Sequence, residues 1–308
     1  MKKKANVLLS IYNPNYDYLK SQLQSINNQD YTNIEVLIFD DCVEKRCDVS
    51  IFKRYLTKVT YKLLPYKEKN MGYVRAFEYL TENADGEYIF YCDQDDVWKK
   101  NKVSNSILFL KKNHLNLMST DREIIDSNGH IVCSSYDNKR GYPYNLKLDD
   151  LIIFKENFFT TYADGMCICG RTDFIKRCLP FSLSTAHDKW LISCACIENT
   201  YARCSQILVQ YRRHENNVSG RFKDIKDKSD YFDKRVMPNY HLAFDLQKKY
   251  PEYTPLFDIY NFCEARVNKK IFTLLKKNHI SKKIAIFEFV IFFCPNYLSK
   301  YIFNLLRK

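Results

Sequence analysis

Glycine is scarce, 7 in 308 residues. No G-x-G-x-x-G or Walker-type run is present, so a glycine-rich phosphate loop is excluded. Any nucleotide must be held by side chains and ordinary loop amides. Zinc-site spacing is also missing: the closest cysteines, Cys167/Cys169 and Cys194/Cys196, lack the C-x-x-C separation and histidine partners. With no signal peptide visible, the 12 Cys read as reduced cytosolic thiols packing as small hydrophobes. The apolar segment Ile284–Cys294 is too short to cross ~30 Å of hydrocarbon and ends at Pro295.

Acid is in short supply, with 36 Asp and Glu against 48 Lys and Arg and a formal charge of +12. A nucleic-acid partner would require a basic helix or an aromatic-basic motif on the main domain, and none is evident. The excess is instead conspicuous after residue 268, where nine Lys and Arg face Glu288 alone. They flank Ile284–Cys294 and the amphipathic stretch Tyr297–Leu306. That combination suits peripheral contact with an anionic membrane at its cytoplasmic face. It equally suits a helical cap with a solvated basic face. A hydrophobic content of 46 %, 15 % of the chain being aromatic, excludes disorder and allows a sizeable core.

The patterning predicts an α/β fold. Asn6–Ile11, Ile34–Phe39, Val59–Leu64 and the run Tyr88–Cys92 read as strands, separated by helices at Leu19–Ile26, Ile51–Leu56 and Tyr73–Glu82. This alternation implies a mostly parallel sheet flanked by helices. A helix over Lys99–Lys112 and a hairpin turn at Asp126–Gly129 follow. Residues 135–160 are expected to form a loop or lid, and Gly165–Cys169 and Gln206–Tyr211 further strands. A helical basic extension over 223–308 is appended to a domain over 1–222.

Two strands end in acids, at Asp40-Asp41 and at Asp93-Gln94-Asp95-Asp96. Open α/β sheets bind ligands at the edge where strand carboxyl ends lie. Three carboxylates within four residues repel one another, and a hard divalent cation such as Mg²⁺ or Mn²⁺ stabilises them; the competing reading is a solvated acidic turn. Asp96 supports the cluster or caps the next helix. Tyr12, just past the first strand, is placed to stack on a nucleobase. Asp188, at a predicted helix start, suits a general base, and Trp190 a sugar-stacking platform; helix capping and core packing compete. Tyr211-Arg212-Arg213-His214 could neutralise a diphosphate or add a metal ligand, or form a solvated basic turn.

Taken in order, Ser10-Ile11-Tyr12-Asn13, Asp40-Asp41, Asn70-x-Gly72, Asp93-Gln94-Asp95-Asp96-Val97-Trp98, His187-Asp188-x-Trp190 and Tyr211-Arg212-x-His214-x-x-Asn217 resemble the motifs of family 2 glycosyltransferases over about residues 5–220. The set looks most like the bacterial rhamnosyltransferase-type branch. The resemblance implies a GT-A fold and an inverting, metal-dependent transfer from a nucleoside diphosphate sugar, dTDP-rhamnose ahead of a UDP-sugar. The acceptor would be a glycan or lipid-linked molecule in capsule, O-antigen or cell-wall synthesis. Ser10, Tyr12 and Asp41 would hold the base. Asp93 would contact the ribose and metal side, with Asp95 the principal ligand for Mn²⁺ or Mg²⁺. Asp188 would be the base, and His214 would touch the metal or diphosphate. Three departures stand out: Cys42-Val43 after Asp41, Lys189 inside the His-Asp-x-Trp motif, and Ala163-Asp164-Gly165-Met166 where relatives carry a hydroxyl-bearing, glycine-rich stretch. A metal-dependent phosphohydrolase, from Asp93-x-Asp95-x-Val97, and an inactive membrane-peripheral binding protein are the rival readings.

Overall fold

A computed structural model describes residues 2–142, 144, 150–160, 163–215 and 224–307. Strands β1 (Ala5–Ile11), β2 (Ile34–Asp40), β3 (Thr60–Leu63) and β4 (Tyr88–Cys92) alternate with helices α1 (Tyr16–Asn27), α2 (Ser50–Tyr55) and α3 (Tyr73–Glu82). Asn15 starts α1 by accepting the amides of Asp17 and Tyr18, and Leu19, Leu23 and Ile26 recur at helical spacing to face the core. Gly72, at φ +75°, turns the chain into α3 through a conformation that a Cβ would strain.

The sheet runs β3-β2-β1-β4-β8-β6-β9-β5, with β5 at Val97–Trp98, β6 at Leu117–Ile125, β8 at Ile168–Arg171 and β9 at Tyr201–Arg212; β7 (Ile131–Cys133) pairs with β6. The first four strands are parallel. Beyond β4 the sheet is mixed, because β8 runs antiparallel to both neighbours while β6 and β9 are parallel. Ile11 pairs with Asp40, and Leu9 with Cys92. That register places Tyr12, Asp41 and Asp93 together just beyond the carboxyl edge.

Several local expectations are corrected. Residues 135–160 are not a plain loop: they carry α5 (Tyr136–Arg140) and α6 (Asp150–Thr160). Ser135 caps α5 through its Oγ, and Gly141 ends it in a left-handed turn. The polar, tyrosine-rich composition is used for cation–ring packing, with the Arg122 guanidinium 4.2 Å from the Tyr136 ring centre. Helix α4 begins at Lys102 rather than Lys99, since Val97–Trp98 first pair with β9. Gly165–Cys167 form a 3₁₀ turn before β8. The last strand, β9, starts five residues earlier than its apolar run suggested, along β6. Helices α7 (Thr172–Arg177) and α8 (His187–Ile197) complete this part; Asn217 lies outside the described residues.

The chain divides into two compact units, Met1–Asp150 with Thr161–Phe181 and Ala186–His214, and Leu151–Thr160 with Ser182–Thr185 and Glu215–Lys308. The first holds the whole sheet. In the second follow α9 (Lys228–Tyr231), α10 (Met237–Lys249), α11 (Pro255–Val267), α12 (Ile271–Lys276), α13 (Lys282–Phe293) and α14 (Asn296–Arg307). Its core includes Ile225, Tyr231, Val236, Ile291 and Phe303. All twelve cysteines are free, and eleven are buried.

Candidate active site

Beyond the edge of β1 and β4, two loops are laced together by one amide side chain. Gln94 Oε1 accepts the Tyr12 N–H at 2.9 Å, and Gln94 Nε2 donates to the Tyr12 carbonyl at 3.0 Å. The Tyr12 ring itself is exposed at 52 %. Ser10 lies half-buried on β1 opposite Phe39. Asp41 is buried and accepts the Met71 and Gly72 amides at 2.8 and 2.9 Å, so it also fastens the turn before α3. Burial raises its pKa. Asp40 does the equivalent work in its own loop, accepting the amides of Cys42 and Cys47.

The second acidic group is electrostatically loaded. Burial, and then the fields of Asp95, Asp164 and Asp188, push Asp93 up to about 8. Asp96 is fully buried and raised well above the usual carboxylate range, by burial and by Asp95 and Asp93. It accepts the Arg212 amide at 2.9 Å, and does not cap α4. Its Oδ2 has no hydrogen-bond partner among the described residues. Arg212 is buried too: its Nε donates to the Asp95 carbonyl and Nη1 to the carbonyls of Asp126 and Ser127. It therefore ties the acidic loop to the β6–β7 turn, which no sequence signal indicated. His214 Nε2 lies 2.8 Å from Asp95 Oδ2, and the Tyr18 ring packs beside both Arg212 and His214.

Asp188 stands one residue inside the first turn of α8, whose cap is Ala186; it accepts the Lys189 amide at 2.5 Å. Buried, and repelled by Asp164, it is pushed up to about 7. A carboxylate that titrates near neutrality is matched to general-base work. Its neighbour His187 is buried between Phe77 and Tyr91 and driven down to about 3, so it is neutral. Gly165 admits that ring: a Cβ there would lie 2.7 Å from His187 Nε2.

Trp190 is corrected. Only 3 % exposed, with its indole N–H on the Cys178 carbonyl at 2.8 Å, it is a core residue and offers no face to a sugar. In its place the structure adds Asp164, which the motif reading assigned no role. Asp164 pairs with the buried Arg122 at 2.8 Å and shares the field of Asp93 and Asp188.

Among the described residues no three His, Cys, Asp or Glu side chains converge as metal ligands. The donor chemistry still fits a hard divalent cation. Asp93 and Asp95 supply oxygens, His214 an imidazole, and the crowding of Asp93, Asp95 and Asp96 keeps Asp93 and Asp96 raised although Lys102 partly offsets it at Asp93. The fit is one of donor type and charge rather than of a preformed cage.

Residues 6–177, over half of the chain, match the model of glycosyl transferase family 2. The chain belongs to this family. Over 227 residues this family 2 transferase is 25 % identical to UDP-Glc:alpha-D-GlcNAc-diphosphoundecaprenol beta-1,3-glucosyltransferase WfgD of Escherichia coli, covering 72 % of the chain and 84 % of that protein. Over 149 residues it is 27 % identical to the putative teichuronic acid biosynthesis glycosyltransferase TuaG of Bacillus subtilis, covering 47 % of the chain and 57 % of TuaG. The chain thus spans little more than half of TuaG. Its fold is similar to that of S. aureus TarS in complex with UDP-GlcNAc, with a TM-score of 0.61 at 18 % identity over 88 % of this chain and 73 % of TarS. It is also similar to mannosyltransferase PcManGT from Pyrobaculum calidifontis in complex with GDP-Man and Mn²⁺, with a TM-score of 0.52 at 14 % identity over 93 % and 76 %. At these identities the likeness is one of fold, and it is the GT-A architecture expected from the motifs. Family membership leaves the phosphohydrolase reading without support.

Proposed function

We propose that the chain is an inverting glycosyltransferase that moves a sugar from a nucleoside diphosphate sugar to a hydroxyl of a glycan or lipid-linked acceptor in bacterial surface polysaccharide synthesis. The observation that carries this is Asp188, a buried carboxylate titrating at about 7 and sharing its field with Asp93 and Asp164. A UDP-sugar is preferred to dTDP-rhamnose, because a uridine nucleotide stands in the name of WfgD and in the TarS complex.

In this reading Tyr12 stacks on the base, with Ser10 and Asp41 beside it. Asp93, Asp95 and His214 hold a divalent cation, which when bound offsets charge on the diphosphate. Arg212 keeps the Asp95-Asp96 backbone in place through its bonds to the Asp95 carbonyl and Asp96 carboxylate. Asp188 accepts the acceptor's proton as its oxygen attacks the anomeric carbon in line. The carbon–oxygen bond to the diphosphate breaks in the same step, which inverts the centre. Base catalysis of this kind contributes ~10²–10⁴-fold.

The test incubates the purified chain with UDP- and dTDP-sugars, with and without Mn²⁺, and measures nucleoside diphosphate release. Metal-stimulated turnover of a UDP-sugar, lost in Asp188→Asn with nucleotide binding retained, is the expected result. Phosphate release from simple esters with no sugar-nucleotide turnover would defeat the proposal, as would full activity in the Asp188→Asn chain.

A further inference from the structure

In the second unit, α13 and α14 turn an unusual selection of side chains outward. Helix α13, Lys-Lys-Ile-Ala-Ile-Phe-Glu-Phe-Val-Ile-Phe-Phe, is apolar on nearly every side. It buries Ala285, Glu288 and Ile291, and α14 buries Phe303. At the corner between the helices, Phe292, Phe293, Tyr297 and Tyr301 remain 46, 60, 77 and 60 % exposed. On α14, Leu298, Tyr301, Ile302 and Leu305 recur at i, i+3, i+4 and i+7, yet only Ile302 is drawn inward. Buried sides are normally the apolar ones, and a helix apolar all round normally sits in a core or in lipid.

The charges sort in the complementary sense. Glu288, the one acid after residue 268, points into the unit, where it accepts from Arg266 Nε and Tyr231 Oη at 2.8 Å each. The outward side is left with aromatics and lysines. Lys282 and Lys283 are exposed in the first turn of α13, the end where the helix dipole disfavours cations. Folding gains nothing from them there, whereas an anionic surface would. A second copy of the chain would set lysines against lysines, so charge complementarity selects lipid.

We propose that α13 and α14 form an in-plane anchor for an anionic bilayer, with Phe292, Phe293, Tyr297 and Tyr301 entering the headgroup layer and Lys282, Lys283 and Lys300 binding lipid phosphates. The anchor lies on the membrane and does not cross it. No helix among the described residues is long and apolar enough to span, and the 12 residues of α13 reach ~18 Å at the helical rise against the ~30 Å a span needs. The inference stands on this surface alone and does not depend on the donor or acceptor proposed above.

The full chain is mixed with vesicles of phosphatidylcholine, with and without phosphatidylglycerol, and sedimented. Binding to the anionic vesicles only, weakened by salt, is expected. Lys282→Glu/Lys283→Glu changes four charge units, worth about fivefold each, and should reduce partitioning by roughly 600-fold. This variant removes cations from a helix N-terminus, so its fold is preserved, and circular dichroism with donor hydrolysis as for the parent checks that. Phe292→Ser/Phe293→Ser should cost at least about tenfold. Equal binding to both vesicle types, or parent-like binding by either variant, would overturn the proposal. So would a dimer that the phenylalanine variant converts to monomer while vesicles bind nothing, which assigns the surface to a second copy.

Discussion

Replacing Asp188 by Asn should make the protein less active and more stable at once. The carboxyl moves from its ordinary 3.8 to about 7 in the fold. Because its folded pKa is raised, the folded state holds a proton that the unfolded chain has released between those values. Ionised Asp188 therefore opposes folding, by an amount that is negligible below pH 4, grows between pH 4 and 7, and is constant above. The shift of about 3 units, at 1.36 kcal/mol each, sets this at ~4 kcal/mol. Asn keeps the shape, and its Oδ1 can still accept the Lys189 amide, but it carries no charge. Urea denaturation in EDTA, where no cation neutralises the site, measures the difference. Trp98 and Trp190, the two tryptophans of the chain, are both buried in the first unit, so their fluorescence reports the unit that holds Asp188. The variant should gain ~4 kcal/mol at pH 8, under ~2 kcal/mol at pH 5 and only ~0.5 kcal/mol at pH 4, while transfer falls ~10²–10⁴-fold. A gain independent of pH, or none at pH 8, would refute the link between burial and base strength.

The same titration predicts that kcat/KM rises with pH through about 7 and falls with unit slope below it, since the base must be deprotonated; a flat profile from pH 5 to 8 would contradict the assignment. Gly165→Ala would press a methyl to 2.7 Å from His187 Nε2; the ring is boxed by Phe77 and Tyr91, so transfer should drop at least ~10-fold and stability by ~1–3 kcal/mol, checked by kinetics and denaturation. Arg212→Ala should cost ~2–3 kcal/mol and weaken UDP binding in Mn²⁺ by calorimetry, and unchanged affinity would mean the loop holds without it. Trp190→Phe should lose ~1–2 kcal/mol of stability with its hydrogen bond to Cys178, leaving acceptor KM unchanged; a raised KM in an equally stable variant would restore the stacking role.

Most of the parallel half of the sheet was legible because its strands are unbroken apolar runs and its helices keep a clean spacing, as at Leu19, Leu23 and Ile26. Helix α3 matched residue for residue, since Gly72 marks its start. The mixed half was harder to read. Strand β9 is exposed at Ser205 and Gln206, so its apolar signal breaks mid-strand. Helix α5 is held by a serine cap and cation–ring packing, which leave no hydrophobic period. At the site, acids at strand ends announced themselves, but their differences came from burial and neighbours that are distant in sequence. Asp164 draws its place from Arg122, 42 positions earlier, and Trp190 is claimed by the Cys178 carbonyl rather than by a ligand. No local spacing encodes either pairing.

The Gln94 side chain acts towards Tyr12 as one more peptide group, prolonging the β1–β4 pairing past the end of the strands. The main chain of Tyr12 is thus settled before any ligand arrives, while its ring stays in water. Ordering on contact with an aromatic base is then confined to two side-chain torsions, a small entropic loss beside that of fixing a loop. The pivot of Tyr12 therefore belongs to the fold, and only the setting of its exposed ring is left open.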